Sequence, residues 1–199
     1  NPISPMGVYI ADPTARVWDD GKVYIYGSRD ESPDYYCSKR YNVLSSSDLR
    51  TWELHKDTFI NNETLYAPDA WYKDGQYYLY YDIPNGEEYV AVSDSPTGPF
   101  EFIRSGRVNP GKTPVNMDEA ALAAMDSLNL EDYKDWWTPE WYKAIDKGLF
   151  VKRDLEGGQM SRDMTLYVDE DGKAYHIFSS EDNLTLHIAE LSDDYLSHT

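Results

Sequence analysis

Hydrophobic and polar residues alternate along three short segments of the chain, and each segment contains an Asp-Gly pair. These segments are residues 11–28, 67–82 and 161–180. Alternation with a period of two is typical of half-buried β-strands. Asp-Gly between two such runs favours a hairpin, because glycine supplies the positive φ that a tight turn needs. Each segment is therefore predicted to form a two-stranded hairpin.

Each predicted hairpin is followed by further strand-like runs. They cover residues 41–56, 88–103 and 184–196. Four short antiparallel strands in a repeated unit are typical of a β-propeller blade. The pattern therefore predicts an all-β fold, a β-propeller with about three blades. A generic β-sandwich, which also has short alternating strands, is the alternative.

The blades are predicted within one domain, residues 1–199. Their expected bounds are near residues 7–56, 66–103 and 161–196. Residues 104–160 break the repeat and form an insertion. Alanine and leucine at helical spacing over residues 117–130 predict a helix that Asp118 caps. Three tryptophans follow within residues 133–148, and such a long aromatic insertion on a rigid β scaffold is often functional.

Composition narrows the classes of partner. The formal net charge of −18 repels phosphate backbones and argues against nucleic-acid binding. No apolar run reaches the length of a membrane span, and the single cysteine, Cys37, excludes an internal disulfide. Aromatic residues make up 15% of the chain, which suits either a β-protein core or a surface that stacks on sugar rings.

One aspartate stands at the start of the first strand of each predicted hairpin, namely Asp12, Asp69 and Asp163. In a propeller the first strand of each blade lines the central axis, so these three carboxylates are expected to converge in one funnel. Carboxylates held close together raise one another's pKa, an effect that glycoside hydrolysis uses. The alternative is that these aspartates only cap turns.

Four stretches together resemble family 43 glycoside hydrolases. They are DPTARVWDDGKVYIYGS, SSSDLRTWELH, YAPDAWYKDGQYYLYY and AVSDSPTGPFEF. The resemblance covers residues 1–103 and 157–199, and the C-terminal part looks like the branch that acts on galactan and arabinogalactan. It implies a five-bladed β-propeller that hydrolyses arabinose-, xylose- or galactose-containing polysaccharides with inversion. Only about three of the five blades are present in this chain.

The resemblance also implies roles for the three aspartates. Asp12 matches the general base, Asp163 matches the residue that orients the acid and tunes its pKa, and Asp69 matches a residue lining the pocket. The family's general acid is a glutamate of the fourth blade, and no residue here matches it. The chain is then part of a longer enzyme, or Glu140 acts as the acid with a pKa raised by burial among tryptophans, or the protein binds glycans without cleaving them. For Glu140 itself, a surface glutamate beside an aromatic cluster is the favoured interpretation.

Further residues are candidates for holding the sugar. Trp71 could stack on a ring or pack in the core, Arg162 could bond a hydroxyl or pair with Asp163, and Glu140 is assigned to binding where it is not the acid. The expected activity is that of an exo-acting, inverting glycosidase on arabinose- or galactose-containing plant polysaccharide side chains. It needs no organic cofactor, although the family sometimes holds a calcium ion on the axis.

Three expectations concern the setting in which the protein acts. The partner is an oligo- or polysaccharide, with no nucleic acid and no membrane. Open propeller edges would favour self-association. The substrate class implies a secreted or periplasmic protein, although the chain begins NPISPMG, without the features of a signal peptide.

Overall fold

The computed structural model describes residues 3–32, 38–84, 88–108, 116–157, 161–179 and 185–199. Cys37 lies outside these ranges. The described strands form three antiparallel sheets in chain order. The first sheet comprises β1 (Ile10–Val17), β2 (Val23–Arg29), β3 (Arg40–Ser46) and β4 (Glu53–Ile60).

The second and third sheets repeat this meander. The second comprises β5 (Asp69–Lys73), β6 (Gln76–Asp82), β7 (Glu88–Ser93) and β8 (Glu101–Arg107). The third comprises β9 (Arg162–Val168), β10 (Ala174–Ser179) and β11 (Leu186–Glu190). The sheets are blades of a β-propeller, as the alternation predicted.

The first strands of the three blades are neighbours. β5 contacts β1 on one side and β9 on the other, so the three strands line one region, as expected for the propeller axis. The third sheet differs from the predicted four strands, because its described part has three. After β11 the chain turns back at Ser192, and an isolated antiparallel bridge joins Leu191 to His198.

The three hairpins form at the Asp-Gly pairs, as predicted. The second hairpin has a two-residue turn in which Asp74 and Gly75 have φ of 51° and 91°, the left-handed values that this turn requires. The first and third hairpins have five-residue loops, residues 18–22 and 169–173. The sequence DEDG at residues 169–172 is therefore part of the third hairpin loop.

Two apolar cores hold the blades together. Aromatic side chains dominate the core between the first and second blades, where Phe59 and Tyr81 pack with ring centroids 4.7 Å apart. The second core joins the second and third blades and includes Tyr80 and Phe178. The exposed edge strand β11 presents Leu186 and Ile188 to solvent; self-association through such an edge stays a prediction.

The insertion contains short helices. They are α1 (Glu119–Asp126), α2 (Pro139–Ile145) and α3 (Leu149–Gly157). The Asp118 carboxylate accepts a hydrogen bond from the backbone N–H of Ala121 and caps α1, as predicted. Trp141 is fully buried in a separate core with Phe150, which favours an anchoring role for this tryptophan over a substrate platform.

Candidate active site

Asp12 and Asp163 occupy equivalent bulges in the first strands of their blades. In the first blade, two residues, Asp12 and Pro13, lie opposite Gly27 of β2. In the third blade, Asp163 and its successor lie opposite Phe178 of β10. Bulges of this kind redirect a side chain and are over-represented beside active sites. Both aspartates are exposed.

The backbone at both aspartates is strained. Asp12 has φ of 46° and Asp163 has φ of 50°, values that are uncommon for residues other than glycine. A strained conformation persists only where the surrounding structure enforces it, and such residues cluster at functional sites. The repetition of the same strain at the same place in two blades therefore marks these carboxylates as candidates for chemistry.

Gly27 makes room for the first of these bulges. A side chain at this position would bring its Cβ into a clash with Cγ2 of Ile10 and to 3.0 Å from the carbonyl oxygen of Ala11. Both contacts lie on the strand that carries Asp12. The absence of a side chain at Gly27 is therefore a condition for the conformation of the bulge.

Gly27→Ala is expected to destabilise the protein by about 1–3 kcal/mol, the usual cost of overpacking. The free energy of unfolding, measured by urea denaturation, checks this. Adding Ile10→Ala removes the nearer clashing group and is expected to restore part of the loss relative to Ile10→Ala alone. A Gly27→Ala protein as stable as the wild type would contradict the close packing at the bulge.

The negative charges around Asp12 affect its ionisation. Partial burial, followed by the charges of Asp163 and Asp30, raises the pKa of Asp12. Asp12 and Asp163 are therefore close enough to influence each other electrostatically, as the sequence predicted for carboxylates that converge. A raised pKa strengthens a carboxylate as a proton acceptor.

Asp69 lies in the same row but in a different environment. It pairs singly with Tyr80 of β6, without a bulge, and its exposure is 0%. Its carboxylate forms an ion pair with Arg16. The sequence assigned Asp69 to sugar binding; here the carboxylate has no exposed surface, and its hydrogen bonds come from protein groups.

The other candidate binding residues lie in three different settings. Trp71 is half-buried on β5, with the Arg16 guanidinium 5.0 Å from its ring centroid. Arg162 is half-buried at the start of β9 and acts electrostatically on Asp82. Glu140 is exposed in the first turn of α2 while Trp141 is buried, because successive residues of a helix face different directions. This agrees with a surface glutamate beside an aromatic cluster and not with an acid buried among tryptophans.

Asp82 is a buried carboxyl that sequence reasoning missed. It ends β6, is 2% exposed, and its Oδ1 has no hydrogen-bond partner among the described residues. Burial, followed by the charges of Glu88 and Asp163, raises the pKa of Asp82 to about 8. Its cross-strand partner is Glu88. Both acids were visible in the sequence, at the end of segment 67–82 and at the start of the run 88–103, but their burial was not.

Glu88 belongs to a buried polar chain that links the second and third blades. Ser161 donates a hydrogen bond to Oε2 of Glu88 at 3.0 Å, and Nε2 of His176 lies 2.8 Å from the same oxygen. Nδ1 of His176 lies 2.8 Å from Nε2 of His198. Burial, followed by the neighbouring histidines, lowers the pKa of His198 to about 3, so this ring stays neutral. We therefore assign this row of buried polar side chains a role in packing the second blade against the third.

Asp82→Asn is expected to reduce the loss of stability that accompanies a rise in pH. Because its folded-state pKa is raised, Asp82 holds its proton in the folded protein between about pH 4 and pH 8 while the unfolded chain releases it, so folding becomes less favourable over this window. The difference in unfolding free energy between pH 5 and pH 8 should shrink by at least about 1 kcal/mol. The exposed Asp94→Asn is the matched control, and an unchanged difference in Asp82→Asn would contradict the expectation.

The described residues contain neither a metal-binding cluster nor a membrane-spanning helix. Within them, no group of three or more histidine, cysteine, aspartate or glutamate side chains could hold a metal ion. No helix in the described ranges is long and apolar enough to cross a membrane.

Comparison with known proteins identifies a matching family. Residues 1–109 match the model of glycosyl hydrolases family 43. A xylosidase/arabinosidase of Bacteroides ovatus is 28% identical over 207 residues, covering 84% of this chain and 62% of the relative. A xylosidase/arabinosidase of Humicola insolens is 34% identical over 114 residues, covering 47% of this chain and 35% of the relative.

Solved structures give the same result. A family 43 β-1,3-galactosidase determined with galactodeoxynojirimycin is 45% identical, with a TM-score of 0.79, over 96% of this chain and 60% of that chain. A β-xylosidase/α-arabinofuranosidase from a compost metagenome, determined with xylotriose, is 24% identical, with a TM-score of 0.63, over 100% of this chain and 59% of that chain; this second match supports the fold. The chain spans about 60% of the length of these two structures.

Proposed function

Because the chain belongs to family 43 of the glycosyl hydrolases, we propose that it supplies the general base of an inverting, exo-acting glycosidase. The pair of exposed carboxylates at equivalent bulges carries the proposal. Asp12 and Asp163 rise from the first strands of their blades, and the charge of Asp163 raises the pKa of Asp12. Neither carboxylate is buried, so both can meet a substrate in the funnel.

The proposed substrate is a galactose- or arabinose-containing side chain of plant polysaccharide. The identity of 45% with a β-1,3-galactosidase favours galactose, whereas the relatives named xylosidase/arabinosidase are 28% and 34% identical. Such polymers lie outside cells, which supports a secreted or periplasmic location. The proposed chemistry uses carboxyl groups and water and needs no organic cofactor.

In the proposed reaction, Asp12 takes a proton from the water that attacks the anomeric carbon. A carboxylic acid on the other side of the sugar protonates the leaving-group oxygen, and inverting enzymes hold these two groups roughly 6.5–9.5 Å apart. Asp163 orients this acid, and its negative charge raises the acid's pKa. No residue of the chain matches the family's fourth-blade glutamate, and Glu140 is exposed in the insertion.

A second candidate function is a propeller that binds glycans without cleaving them. An activated substrate separates the two. A 2,4-dinitrophenolate leaving group departs without a proton, so hydrolysis of a dinitrophenyl glycoside needs the base but no general acid.

The test is the hydrolysis of dinitrophenyl β-D-galactoside, α-L-arabinofuranoside and β-D-xyloside by the 199-residue chain. We expect turnover of the galactoside, with the α-anomer as the first product seen by proton NMR. Sugar binding by calorimetry, without turnover of any of the three glycosides, would support the glycan-binding candidate. Formation of the β-anomer would contradict inversion.

A further inference from the structure

The buried carboxylate of Asp69 is bonded to both strands that carry the candidate catalytic aspartates. Thr14, two residues after Asp12, donates its hydroxyl to Oδ1 of Asp69 at 3.1 Å. Thr165, two residues after Asp163, donates its hydroxyl to Oδ2 at 3.0 Å. The two threonines occupy equivalent rows of the first and third blades, so Asp69 bridges matching points.

Further donors complete the coordination of this carboxylate. Arg16 binds Oδ1 through Nε at 2.9 Å and Oδ2 through Nη2, and the same Nη2 reaches the Thr165 hydroxyl at 3.2 Å. The backbone N–H groups of Ala70 and Leu166 donate to Oδ1 and Oδ2 at 2.7 Å and 2.8 Å. A carboxylate offers about four lone-pair sites, so protein donors saturate Asp69.

We propose that Asp69 is a positioning residue, whose bonds to Thr14 and Thr165 fix the separation of Asp12 and Asp163. This inference rests on the proposed function of those two aspartates. It replaces sugar binding as the role of Asp69.

The need for such a residue follows from the fold. β1 and β9 belong to different sheets, and β5 lies between them. No strand ladder joins β1 to β9 within the described sheets, so the side-chain bonds through β5, together with the apolar cores between the blades, set their relative position. Displacement of a catalytic group by 1 Å can lower a rate by about 10²-fold, so a rigid link between the two strands matters for catalysis.

The decisive single variants, Thr14→Val and Thr165→Val, each remove one hydrogen bond to Asp69 without changing any charge. The double variant removes both bonds. The probe is the pH titration of the Asp12 carboxyl carbon by NMR in the 199-residue chain. The charged groups that act on Asp12 are Asp163 on β9 and Asp30 after β2, and the variants retain both.

We expect the Asp12 midpoint to move by about 0.3 pH unit or more in the double variant, because a change of about 2 Å in charge separation alters the interaction by that much. Thr165→Ser keeps a hydroxyl, so Asp12 should titrate in this variant at the same pH as in the wild type. Thr58→Val is the matched control, since it removes a buried threonine hydroxyl that donates to Tyr41 in the first blade, away from Asp69.

Two results separate positioning from simple stability. If the double variant loses stability while Asp12 keeps its wild-type midpoint, Asp69 only holds the blades together, and the proposal is overturned. If the Asp12 midpoint moves as much in Thr58→Val as in the double variant, the probe reports general loosening, which also overturns it. If the Asp12 midpoint moves in the double variant while the wild-type chain hydrolyses no dinitrophenyl glycoside, the positioning role is supported and the hydrolase function is rejected.

Discussion

Asp12→Asn is expected to lower the rate constant for hydrolysis of dinitrophenyl β-D-galactoside by about 10²–10⁴-fold, the usual contribution of a general base. The amide keeps the size of the side chain but does not accept a proton from water. It also suits the left-handed backbone at this bulge, since asparagine tolerates φ near the 46° of Asp12. Binding of galactose, measured by calorimetry, should change little.

The pH dependence of the wild-type reaction provides a second readout. The base acts only when ionised, so kcat/KM should fall on the acid side as Asp12 takes up a proton. Because burial and the charges of Asp163 and Asp30 raise the pKa of Asp12, this fall should occur at a higher pH than for an ordinary aspartate. Asp163→Asn removes one of these charges and should move the fall to lower pH.

Asp74→Asn is the matched control for Asp12→Asn. Asp74 also has a left-handed backbone, with φ of 51°, but lies exposed in the turn of the second hairpin. The Asp74→Asn variant should hydrolyse the galactoside at the wild-type rate. Equal activity in Asp12→Asn and the wild type would reject Asp12 as the base, whatever the effect of Asp74→Asn.

The alternation of hydrophobic residues and the Asp-Gly pairs were sufficient to predict the blades, because these signals are local. The bulges left a trace in the sequence that is harder to interpret. Asp12 and Asp163 stand nine residues before Gly21 and Gly172, whereas Asp69 stands six before Gly75. The shorter turn of the second hairpin accounts for two of these three residues, and the bulge accounts for the third.

The environment of each carboxylate could not be predicted in the same way. Asp69 meets Thr14 and Thr165, which lie 55 and 96 residues away in sequence. Asp82 and Glu88 are close in sequence, but their burial depends on the packing of the third blade against the second. Long-range packing decides whether an aspartate at the start of a strand faces solvent or binds an arginine. The periodic pattern of hydrophobic and polar residues does not contain this information.

Arg16→Met is expected to destabilise the protein by about 3–5 kcal/mol, because it leaves the fully buried Asp69 carboxylate without its cation. The methionine retains much of the apolar stem that packs beside Trp71, so most of the loss reports the charge. Asp69→Ala should cost at least as much, since it removes the acceptor for the buried N–H of Leu166. Urea unfolding at pH 7 measures both.

Arg40→Met is the control that isolates burial. Arg40 forms an ion pair with Asp57 at 3.1 Å, but both side chains are more than a third exposed, and surface pairs contribute about 0–1 kcal/mol. Arg40→Met should therefore lower the free energy of unfolding several-fold less than Arg16→Met does. If the two losses are equal, the Arg16–Asp69 pair is no stronger than a surface pair. Asp69 would then lack the rigidity that its positioning of Asp12 and Asp163 requires.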